Sequence, residues 1–214
     1  MNAKTLKSLI AGPAGALEIA LDLPAGTSRG IAVIAHPHPL FGGTLDNKVV
    51  QTLARAFVQS GWTAVRFNFR GVDGSAGSHD EGQGELEDFL AVVQHAAPSG
   101  EGEAPLALAG FSFGAFVTTH AFLRLNSSRT IEKLVLVGTS VSRARAASIE
   151  ASAHGKTLAV HGEQDDTVLL SDVMDWARPQ ALPVTVVPGA GHFFHGQLPL
   201  LKNLVIRHLA APVA

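Results

Sequence analysis

The sequence predicts an α/β fold: a doubly wound, mostly parallel sheet with helices on both faces. Three observations predict it. An alternating segment opens the chain's ordered pattern, short and nearly continuous apolar runs recur after it, and segments of helical spacing separate those runs.

In chain order, Leu17, Ile19 and Leu21 alternate with polar or small residues, as in a half-exposed antiparallel strand near a sheet edge. Residues 31–35, 64–69, 105–109, 133–137, 157–161 and 183–187 are apolar almost throughout, the pattern of strands covered on both faces. Helical spacing appears in Val49, Val50, Leu53, Ala54 and Phe57, then in Leu86, Phe89, Leu90 and Val93, then in Leu201, Leu204, Val205 and Leu209. Right-handed crossovers between such strands place ligands beyond the strands' carboxyl ends, so functional residues are expected just after strands.

A chain of 214 residues with 46% hydrophobic content suits one domain spanning 1–214. Sixteen basic and eighteen acidic residues are mixed along it without a basic block. That balance gives no electrostatic footprint for nucleic acid or an anionic membrane, and points to a small-molecule partner. The lack of cysteine removes disulfides, a thiol nucleophile and thiolate metal sites. Lys4 and Lys7 before Leu9, Ile10 and Ala11 form a weak leader-like pattern that Pro13, Gly15 and Glu18 interrupt, and no run is long enough for a membrane span. A cytoplasmic location is expected; the sequence assigns no oligomeric state.

The pattern G-x-S-x-G occurs at 26–30 and at 110–114, so context has to decide between Ser28 and Ser112. A nucleophile elbow needs a strand before the serine and a helix after it. Ser28 sits in a turn between strands. Ser112 follows the run at 105–109 and precedes a helical pattern containing Phe116, Val117, Ala121 and Phe122, so Ser112 is the candidate nucleophile.

A serine hydroxyl needs a base to take its proton and a third group to orient that base. The run at 157–161 leads into Gly162-Glu163-Gln164-Asp165-Asp166, which offers a carboxylate just past a strand end. The run at 183–187 leads into a glycine-rich loop with His192 and His195. The two loops supply the order Ser, acid, His, and within them Asp165 and His192 are favoured because their neighbours have plainer readings. Asp166 is the alternative acid, otherwise a solvated or capping residue, and His195 the alternative base, otherwise a packing or capping residue near the last helix.

An oxyanion needs N–H donors, of which Phe113 should supply one. The loop His36-Pro37-His38-Pro39-Leu40-Phe41-Gly42-Gly43 should supply the other; its prolines have no N–H, leaving Leu40, favoured, or Phe41. His36 and His38 also form a His-x-His pair, but no third ligand lies at a convincing spacing, so structural hydrogen bonding is the expected role and no metal is assigned.

These pieces, together with Asp46-Asn47-Lys48-Val49-Val50 and Phe67-Asn68-Phe69-Arg70-Gly71 with Ser75 and Gly77, resemble the α/β-hydrolase superfamily over nearly the whole chain. The resemblance is to its small bacterial members that lack a lid. It implies a Ser112–Asp165–His192 triad and cofactor-free hydrolysis through an acyl-enzyme, with carboxylic esters or thioesters as substrates. Asp73 stands where relatives usually carry glycine. Only residues 138–156 separate two expected strands where a lid would enter, too few for a helical cap domain.

An aspartate-nucleophile hydrolase is disfavoured by Ser112. A nicotinamide oxidoreductase is disfavoured because no G-x-G-x-x-G follows the first parallel strand and the chain has no tyrosine. The rival from another class is a non-catalytic module of the same fold that binds a small hydrophobic ligand.

Overall fold

The structure is a computed structural model that describes residues 5–100, 103–141 and 145–211. Its elements are β1 (Leu6–Gly12), β2 (Gly15–Asp22), β3 (Ile31–Ala35), α1 (Lys48–Gln59), β4 (Thr63–Phe67), α2 (Gln83–Ala96), β5 (Leu106–Phe111), α3 (Phe113–Leu125), β6 (Ile131–Val137), β7 (Thr157–Gly162), α4 (Leu170–Ala177), β8 (Val184–Val187) and α5 (Leu198–Ala210).

One eight-stranded sheet runs in the order β1-β2-β4-β3-β5-β6-β7-β8. The β1–β2 hairpin joins β4 antiparallel, and every pairing from β4 to β8 is parallel. The chain moves outward from β3 to β4, then returns to place β5 on the other side of β3. That reversal opens a crevice at the carboxyl ends of β3 and β5, where sheets of this type hold ligands.

Alternation along each strand explains the continuous apolar runs. Ala32, Ile34, Ala107, Ala109 and Val135 pack against α1 and α5 through Val49, Leu53, Phe57, Leu201 and Val205. On the other face Val33, Val65, Leu108 and Leu134 pack with Phe89, Val93, Val117, Phe122 and Ala177 of α2, α3 and α4. With both faces covered, neither set can be polar. Two charged exceptions, Arg66 and Lys133, are satisfied internally. Arg66 of β4 pairs with Asp22 at 2.8 Å, and Lys133 of β6 donates to the carbonyls of His208 and Ala211 at the end of α5.

The sheet begins one strand earlier than the sequence pattern indicates. The strand expected around residues 17–21 is β2, and β1 forms the edge beside it, with Leu6, Lys7, Ser8 and Leu9 all exposed. The run at 64–69 leaves the sheet after Phe67, because Asn68 Oδ1 accepts the Leu45 N–H and the Phe69 N–H donates to His36. Between β6 and β7 the only helical structure among the described residues is a 3-10 turn at Ala151–Lys156, so no helical lid is built there. No helix among the described residues is long and apolar enough to cross a membrane.

Candidate active site

β5 runs directly into Ser112, and α3 starts at the next residue. The turn between them is tight enough to hold Ser112 at φ 57°, ψ −118°, a backbone region that costs a non-glycine residue roughly 1–3 kcal/mol. Neighbouring packing over-determines that conformation. A Cβ at Gly110 would collide with the Gly114 backbone, and one at Gly114 with the carbonyl of His36, so β5 and α3 can approach this closely only through glycines. The Ser112 N–H donates to Val137 O at 2.9 Å, and the Ser112 carbonyl accepts from Phe116 and Ser140. Ser28, the other serine in the motif, donates to the Gly30 carbonyl at 2.7 Å and accepts from the Thr63 N–H at 3.0 Å, the bonds of a turn serine.

The Ser112 hydroxyl lies 3.0 Å from His192 Nε2, and His192 Nδ1 lies 2.7 Å from Asp165 Oδ2. A carboxylate only accepts, so Nδ1 carries the proton and Nε2 is left to accept from the serine. All three side chains are buried. Asp165 Oδ1 accepts the N–H groups of Thr167 at 3.0 Å and Val168 at 2.8 Å. Burial pushes the Asp165 carboxyl up, but the hydrogen bonds from His192 and Val168 and the fields of His192 and His161 outweigh it and hold the carboxyl below its ordinary value. Asp166 and His195 are exposed and stand outside this line; the His195 ring packs on Phe193.

The chain belongs to the S33 family of α/β serine hydrolases. The family described as "Serine aminopeptidase, S33" matches residues 29–162, which include β3, the Ser112 turn and the end of β7. This S33-family chain is 33% identical to a lidless α/β serine hydrolase from Xanthomonas campestris, with a TM-score of 0.85 over 99% of both chains. It is 38% identical to an α/β serine hydrolase homologue from Coxiella burnetii, with a TM-score of 0.81 over 98% of this chain and 99% of that one. It is also 29% identical to an uncharacterized protein of Rickettsia prowazekii across 86% of this chain and 79% of that protein.

In this hydrolase a cavity of about 260 Å³ opens beside the Ser112 hydroxyl, lined by His38, Phe41, Phe113, Ser140, Thr167 and Val168. Phe113 is the first residue of α3, and the first N–H groups of a helix have no partner within it. The loop after β3 differs in detail from a ready donor at Leu40. The Leu40 N–H donates to His38 Nδ1 at 3.2 Å, because His38 caps the short 3-10 turn Pro39–Phe41. The Phe41 N–H donates to the His38 carbonyl at 3.1 Å.

His36 and His38 do separate work. His36 Nδ1 donates to the Pro37 carbonyl at 2.6 Å and Nε2 accepts the Phe69 N–H at 3.0 Å, which ties the loop after β3 to the segment that follows β4. Burial pushes His36 down to about 4, so the ring is neutral. The His38 ring packs against Phe41, His79 and Phe113.

Two contributors escape sequence reasoning. Gly138, at φ 54°, follows β6, and a Cβ there would sit 3.3 Å from both the His192 and Phe111 rings. His161 of β7 is buried with Nε2 2.9 Å from the Val168 carbonyl and 3.5 Å from Asp165 Oδ2. The available signal was a histidine inside an apolar run, four positions before the acid.

Proposed function

We propose that this chain hydrolyses carboxylic ester or thioester bonds through an acyl-enzyme formed on Ser112, without a cofactor. The observation that carries the reading is the unbroken hydrogen-bonded line from Ser112 through His192 to Asp165, ending in the cavity.

In this reading Ser112 Oγ attacks the substrate carbonyl while its proton passes to His192 Nε2, and Asp165 stabilises the imidazolium without taking its proton. The carbonyl oxygen becomes an oxyanion facing the Phe113 N–H. For Leu40 to serve as second donor, its N–H has to exchange His38 Nδ1 for that oxyanion, a charged and therefore stronger acceptor. The imidazolium then protonates the departing alcohol or thiol, leaving Ser112 acylated. Water, deprotonated by His192, attacks the acyl-enzyme, releases the acid and returns the proton to Ser112.

Aromatic, aliphatic and hydroxyl side chains line the cavity beside His38. Leu40, Phe41, Leu169 and Phe193, adjacent to or among the site residues, are exposed. Both features suit an uncharged apolar acyl group. Recognition of a peptide's free ammonium group, the task of an aminopeptidase, would call for a carboxylate, and among the described residues none lines the cavity.

A fluorophosphonate probe at neutral pH, with the adduct located by peptide mass spectrometry, tests the reading. Labelling at Ser112 that disappears on heat denaturation and in Ser112→Ala, with loss of turnover on p-nitrophenyl esters, is the expected result. Folded protein that neither labels nor hydrolyses these esters would overturn it and favour a ligand-binding module of the same fold.

A further inference from the structure

We infer that His161 is a positioning residue for this reaction: its Nε2–H, bonded to the Val168 carbonyl with Asp165 Oδ2 3.5 Å from the same nitrogen, holds the acid in line with His192. The inference rests on the triad reading above.

The Val168 carbonyl can only accept, so at 2.9 Å the proton must be on His161 Nε2. The same nitrogen is 3.5 Å from Oδ2, the oxygen that faces His192. Val168 meanwhile donates its own N–H to the other carboxylate oxygen, Oδ1. His161 is therefore joined to the acid loop at its far end, through the Val168 carbonyl, and brought up to the carboxylate itself. Rotation of the Asp165 carboxylate away from His192 would break the bonds that Oδ1 accepts and move Oδ2 relative to His161.

A packing role explains this residue poorly. His161 is 1% exposed, and its Nδ1 is buried without a hydrogen-bond partner among the described residues. An aliphatic or phenyl side chain would fill the same space without burying an unmatched ring nitrogen, which is costly in a core. What a histidine adds is an N–H at the Nε2 position. Burial holds the His161 ring below its ordinary value and so keeps it neutral, against the opposing hydrogen bond to the Val168 carbonyl and the field of Asp165.

Three variants separate the roles. Phe keeps the ring volume and removes the donor. Gln carries an amide N–H near the position of Nε2, and the shorter Asn does not reach it. For His161→Phe, kcat on p-nitrophenyl acetate should fall about tenfold or more with KM within about twofold, as expected when a reacting group loses its alignment. The downfield proton resonance of the His192 Nδ1–H bonded to Asp165 should shift upfield or vanish, and His161→Gln should restore both signals. A folded His161→Phe protein that keeps this resonance and its turnover would overturn the inference. If that variant fails to fold by far-UV circular dichroism, Gln and Asn decide: equal turnover and equal resonances in the two overturn it, and recovery in Gln alone supports it. The resonance does not depend on turnover. A wild-type protein with the resonance but no esterase activity would sink the functional reading and leave His161 testable on the resonance alone.

Discussion

Asp165 Oδ2 meets His192 Nδ1 at 2.7 Å across 27 positions of sequence, at the carboxyl ends of the neighbouring parallel strands β7 and β8. The contact fixes which histidine nitrogen carries a proton, and hence what the serine sees.

Asp165→Asn keeps the size of the side chain but offers an amide N–H to His192 Nδ1. The ring is then driven to the other tautomer, with Nε2–H facing Ser112 and no lone pair to accept its proton. We expect kcat to fall by about 10³ to 10⁴ with little change in KM. Steady-state kinetics on an activated ester and the rate of fluorophosphonate labelling both report it.

Gly138→Ala forces a side chain into the left-handed backbone region and brings a Cβ to 3.3 Å from the His192 ring. The histidine or the strand end has to move. The expected outcome is a stability loss of about 1 kcal/mol or more, read by urea denaturation, and a drop in kcat larger than that loss alone would produce.

His36 gives stability a pH dependence of known sign. Its ordinary value is 6.5 and the folded value about 4, so between these the unfolded chain binds a proton that the native ring refuses. The contribution is complete above about pH 6.5 and declines by up to about 1.4 kcal/mol per pH unit as the pH falls toward 4. Urea denaturation at pH 7, 6 and 5 should show a steeper decline for the wild type than for His36→Gln, whose side chain does not titrate; parallel curves would refute the assignment.

Much of this architecture was legible in the sequence because burial on both faces of a parallel sheet leaves little room for polar residues. The runs at 31–35 and 157–161 therefore stand out, as does a serine held between glycines after such a run. β1 did not stand out, since an exposed edge strand containing Lys7 obeys no burial pattern. The Leu40 amide reads as available because a sequence shows which residues possess an N–H but not that a ring two positions earlier has already claimed it. Gly138 and His161 were hidden for a related reason: each acts on a residue brought close only by the sheet's register.

The site also dates its own assembly. Ser112 and His192 are 80 residues apart in sequence, and the histidine hangs from a loop after β8, a four-residue strand at the edge of the sheet. β8 is bound in the sheet through β7 alone, so its loop can take its place after the strands at the centre of the sheet have paired. A refolding chain can therefore complete the centre of its sheet while still chemically inert. Reactivity at Ser112 would return only when β8 docks, which makes the probe a clock for the closing step of folding.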